Sequence, residues 1–92
     1  MKRYIIEREI PAVGSLDRKQ LREASKKSNA ALAELAPRIQ WIESFAVADK
    51  TFCVYLAEDE EVIQQHAEMS GFPASRINEV RAIFDPTDAR RA

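Results

Sequence analysis

Along this chain the hydrophobic period switches from two to 3.6 and back, twice, and few folds accept that order. Residues 3–10 set β-branched and aromatic positions among charges, and Pro11 closes them, the pattern of a first strand. A loop around Gly14 follows. Asp17 stands three residues before Gln20, a capping pair for a helix start. Behind it Leu21, Ala24, Ser25, Ser28, Ala31, Leu32 and Leu35 recur at helical spacing until Pro37. This spacing predicts a helix over 18–36 whose inward face is small and polar at Ser25 and Ser28.

Two β-rich runs come next, 39–48 and 51–57, and the break Asp49-Lys50 between them suits a hairpin. A second helix is predicted over 58–70, with the acids Glu58 to Glu61 at its positive end and Gly71 as its stop. Residues 77–84 read as a fourth strand. The order β-α-β-β-α-β predicts an α+β, ferredoxin-like sandwich: a four-stranded antiparallel sheet with two helices on one face. Residues 1–84 make one such domain, and 85–92 form a polar tail.

The other face of the sheet then matters most. Alternation splits the third strand into Phe52, Val54 and Leu56 on one side and Thr51, Cys53 and Tyr55 on the other. The apolar set is expected under the helices and the semi-polar set on the open face. Trp41, Glu43, Phe45 and Val47 are expected to form one row of the second strand on that face. So much aromatic surface would be a large patch on a monomer. A chain of 92 residues buries only about 60–65% of its unfolded surface. A homodimer through the open face, of the dimeric α/β-barrel type, is therefore expected.

Charge and cysteine content exclude several classes. Lysine and arginine number 14 against 15 acids, interleaved, so the basic block that nucleic acid requires is missing. No apolar run approaches the ~20 residues of a bilayer span, and Met1 to Tyr4 lead straight into strand-like sequence. The expectation is a cytoplasmic protein with neither a nucleic-acid nor a membrane partner. The single cysteine, Cys53, excludes an intramolecular disulfide.

Among residues with chemistry, His66 is the only histidine and lies on the apolar stripe of the second helix, suited to proton transfer, to metal ligation or to a satisfied core position. Glu43 and Tyr55 fall centrally on neighbouring strands. There Tyr55 could donate to the carboxylate and Arg8 or Arg81 could neutralise it, as a pocket acid/base or as a structural ion pair. Cys53 is a thiol that most often packs as a small hydrophobe. Ser25 and Ser28 are pocket-lining candidates, or small groups that let the helix approach the sheet.

Several ordered blocks carry a resemblance. They are Arg3-Tyr4-Ile5-Ile6-Glu7-Arg8, Trp41-Ile42-Glu43-Ser44, Lys50-Thr51-Phe52-Cys53-Val54-Tyr55, His66-Ala67-Glu68-Met69-Ser70-Gly71-Phe72-Pro73 and Arg76-Ile77-Asn78-Glu79-Val80. Over residues 3–84 the chain resembles a family of short bacterial proteins labelled nickel-binding-like domains of unknown function. The resemblance implies a ferredoxin-like fold, a dimer and nickel as a ligand. His66, Glu43 and Glu79 are then the candidate metal donors, and Tyr55, Cys53, Ser25 and Ser28 the candidate pocket. Nickel favours imidazole with oxygen or thiolate donors, so one histidine per chain calls for carboxylates, water or a second chain. Two functions compete: a small dimeric metal-binding protein without catalysis, and a dimeric α/β-barrel enzyme, monooxygenase- or isomerase-like, acting on an organic molecule through Tyr55, Glu43 and His66. A plain interaction module is the third.

Overall fold

The computed structural model describes residues 1–90. Strand β1 spans Lys2–Glu9, helix α1 Arg18–Leu35, β2 Ile39–Ala46, β3 Lys50–Ala57, α2 Glu60–Ser70 and β4 Arg76–Glu79. The strands form one antiparallel sheet in the order β2-β3-β1-β4. One core joins Leu32 of α1 and Val62 and Ile63 of α2 to Tyr4, Ile6, Cys53 and Tyr55 of the sheet. Both helices therefore cover the same face, the ferredoxin-like arrangement. No helix of the described residues is long and apolar enough to cross a membrane.

The helix limits follow local chemistry. Asp17 and Gln20 close a full capping box, each side chain meeting the other's backbone N–H. Asp59 caps α2 by accepting from the Val62 N–H. Only Glu60 and Glu61 of the acid run lie in the first turn, while Glu58 pairs with Arg38 at 2.6 Å. Gly71 ends α2 at φ 77°, a left-handed turn that glycine adopts without strain. That turn aims the backbone of Phe72 and Pro73 back toward β1.

Two expectations need correction. The alternation on β3 is as expected but its sides are reversed: Cys53, Tyr55 and Ala57 are buried under the helices, and Phe52, Val54 and Leu56 lie half-buried on the open face. Register explains it, because Tyr55 opposes Tyr4 and Cys53 opposes Ile6, both on the buried side of β1. Nor do Trp41, Glu43 and Phe45 form one row. A bulge at Ile42 separates the pair Trp41↔Tyr55 from Glu43↔Val54, so Trp41 packs on the core side and Glu43 and Phe45 face outward.

The fourth strand is also shorter than 77–84. With Tyr4 opposite Glu79, the ladder ends at the bond from Val80 N–H to the Arg3 carbonyl. Because β1 begins at Lys2, the residues from Arg81 onward have no partner in the sheet. Ile83 and Phe84 are left 72% and 82% exposed. Pro86–Arg90 makes a short 3-10 helix within the region read as a tail, whose last two positions, 91 and 92, lie outside the described residues.

Candidate functional site

The inward row of β1 is Tyr4, Ile6 and Arg8, and its third member is a charge. Arg8 is only 3% exposed. Its Nη1 donates to the carbonyls of Phe72 and Pro73, at 3.1 and 3.0 Å. Its Nη2 donates to the Tyr55 hydroxyl at 3.2 Å and to His66 Nδ1 at 3.4 Å. The guanidinium also lies 5.8 Å from the Tyr55 ring centroid, within cation–π range. Among the described residues no carboxylate forms an ion pair with it.

This arrangement assigns the histidine tautomer. Arginine can only donate, so Nδ1 of His66 accepts and its hydrogen resides on Nε2. Nε2 then donates to Ser28 Oγ at 3.1 Å. His66 is fully buried, and burial foremost, with the Arg8 charge second, lowers its pKa to about 4. It is neutral at pH 7. Burial likewise pushes the Tyr55 phenol above its ordinary value, against the opposing pull of Arg8 and a hydrogen bond from Ser28. The His66 and Tyr55 rings are tilted against one another, 5.5 Å between centroids.

This polar floor lies at the base of a cavity of about 150 Å³ between α1 and the sheet. Leu21, Ala24, Val13 and Trp41 supply apolar walls, and Ser25, Ser28, Cys53 and Tyr55 all line it. Trp41 is held by its indole N–H, which donates to Ser44 Oγ at 2.9 Å. Leu21, Ser25, Trp41, Ser44 and Thr51 continue into an outer hollow of about 340 Å³ that reaches Arg18. The small residues of α1 thus have a spatial reason: larger ones would fill this space.

The three candidate metal donors lie apart. Glu43 is exposed on the open face opposite Val54. Glu79 sits at the β4 edge, between Lys2 and Arg81 at 3.8 and 3.7 Å. Both nitrogens of His66 are occupied on the covered side. Among the described residues no group of three or more histidine, cysteine, aspartate or glutamate side chains converges to hold a metal ion, so one chain in this conformation does not fit nickel. Neither Tyr55 nor Arg8 meets Glu43, which is on the opposite face. Sequence reasoning named Arg8 only as a charge that could neutralise Glu43 and missed its place on the cavity floor, although a charge on the inward period of β1 was a readable signal.

Fold and site together define a ferredoxin-like α+β sandwich with an arginine-floored cavity beneath its first helix. The chain belongs to the SCO4226-like family: the family model described as "Nickel responsive protein SCO4226-like" matches residues 4–80. The crystal structure of SCO4226 from Streptomyces coelicolor A3(2) is similar to it, with a TM-score of 0.73 at 18% identity, covering 89% of this chain and 99% of that one. At that identity the likeness bears on the fold. Comparison with curated proteins finds no match.

Proposed function

We propose that this protein is a small-molecule-binding domain whose ligand sits in the cavity beneath α1. The observation that carries this reading is the cavity itself: about 150 Å³ of mostly apolar space in a small sandwich, ending on buried polar groups. Ligand sites have that composition, apolar walls with few placed polar atoms. The floor favours binding over proton transfer, because His66 has both nitrogens engaged and Tyr55 holds its proton. Trp41 is the only tryptophan and lines the cavity, so its fluorescence reports occupancy directly. Toluene is expected to shift Trp41 emission saturably and to raise the melting temperature. Ala24→Leu, which fills the cavity from α1, is expected to abolish both responses. Equal binding by that variant would place the ligand elsewhere.

The family's description favours a second reading, a divalent metal such as nickel. It would lie between two copies paired through the open face, where Phe45 is 53% exposed beside Glu43. Glu43 from each copy would be the principal donor, since Glu79, opposite Tyr4, and the buried His66 lie on the covered side of the sheet. Untagged protein dialysed against nickel and measured for metal content and mass tests it. Stoichiometric uptake by a dimer, lost in Glu43→Gln and kept in His66→Ala, is the expected pattern on this reading. Absence of uptake removes it.

A further inference from the structure

We infer that the cavity ligand is a small organic monoanion: a carboxylate with an apolar body of about benzene size, its charged end on the Arg8–Tyr55 floor. This rests on the cavity being the binding site. Three independent observations specify the anion.

The first is charge. Arg8 is buried without a counterion among the described residues, and its neighbour His66 is neutral. A buried charge is unfavourable until something of opposite sign meets it. The inner cavity and the outer hollow together are lined by two arginines, Arg8 and Arg18, and by no acid. In a chain with 15 acids to 14 bases that lining is one-sided.

The second is the direction of the hydrogen bonds. Arg8 donates to His66 Nδ1, His66 Nε2 donates to Ser28, and the Tyr55 oxygen accepts from Arg8. Among the described residues no hydrogen bond takes up the Tyr55 hydroxyl hydrogen, whose oxygen accepts from Arg8, and it calls for an acceptor. A carboxylate supplies that acceptor and the missing negative charge at once, and a hydrogen bond to a charged partner is the stronger kind.

The third is size. An apolar cavity of about 150 Å³ is enough for a benzene-sized body, and the inner cavity has that volume. The walls of Leu21, Ala24 and Val13 suit such a body, and the buried polar groups of the inner cavity are Arg8, Ser28 and Tyr55 at its floor.

The test uses matched probes on the intact protein, read by Trp41 emission and by melting temperature: benzoate, its neutral amide benzamide, and toluene. Benzoate is expected to bind about tenfold or more tighter than benzamide, the margin of one charge-assisted bond. In Arg8→Met the preference is expected to disappear while toluene still binds. Should Arg8→Met fail to fold, the wild-type comparison of benzoate with benzamide decides alone. Benzamide binding as tightly as benzoate overturns the anion and leaves the cavity reading standing. If none of the three probes binds, the cavity reading itself fails.

Discussion

Replacing Arg8 with alanine is expected to lower folding stability by about 3 kcal/mol, the largest single effect among the polar residues of the site. The substitution removes four hydrogen bonds and leaves the Phe72 and Pro73 carbonyls and His66 Nδ1 without their donor. Hydrogen bonds from a charged donor contribute about 1.5–3 kcal/mol each, but loss of the buried charge relieves its desolvation and offsets part of the sum. Against a total stability of about 5–15 kcal/mol, the remainder is a large fraction. Urea unfolding at pH 7 measures it. Arg8→Lys is expected to recover little, because an ammonium cannot present the two-pronged fork that grips two carbonyls and the Tyr55–His66 pair together. A loss under about 1 kcal/mol would show that the guanidinium does not hold the 72–73 segment in place.

The second large effect is a dependence on acid. The pKa of His66 is lowered from 6.5 to about 4 in the folded chain, so between those values the unfolded chain binds the proton and the folded chain does not. Stability from the neutral histidine is complete above pH 6.5 and is lost as pH falls toward 4. The shift corresponds to roughly 3 kcal/mol, at 1.36 kcal/mol for each unit. Unfolding measured at intervals across that window should show the decline, and His66→Gln should flatten it. The difference between the two proteins isolates the histidine from carboxylates that titrate near pH 4. Parallel slopes would remove His66 as the cause. Arg8→Ala should raise the lower end of this window and make the loss smaller without abolishing it, since the arginine charge is the lesser of the two causes.

Much of the fold was legible because each element carries its own punctuation. The capping pair Asp17 and Gln20, the stop at Gly71 and the short hairpin break are local signals, and they placed the helices and the β-α-β-β-α-β order. What alternation could not supply was the choice of side. The two rows of β3 differ little in polarity, and the covered side is itself polar because it holds Arg8, Ser28, His66 and Ser70. A rule that puts the more apolar row inward therefore selects Phe52, Val54 and Leu56, and the register with β1 reverses it. The bulge at Ile42 has no glycine to announce it, and it sends Trp41 and Glu43 to opposite faces. Ser25, Ser28, Cys53 and Tyr55 share one cavity for a reason their chemistry alone did not give. The length of β4 was limited by where its partner strand begins, which its own composition does not record.

The grip of Arg8 also has a consequence in time. Its two carbonyl partners lie 64 and 65 residues further along the chain, and at a synthesis rate of about 5–20 residues per second they leave the ribosome several seconds after it does. Throughout that interval β1 carries a hydrated positive charge at the end of what will be its buried row. A nascent strand so marked resists premature burial and pairing with other chains. The charge that completes the cavity floor thus first serves as the guard of an unfinished edge.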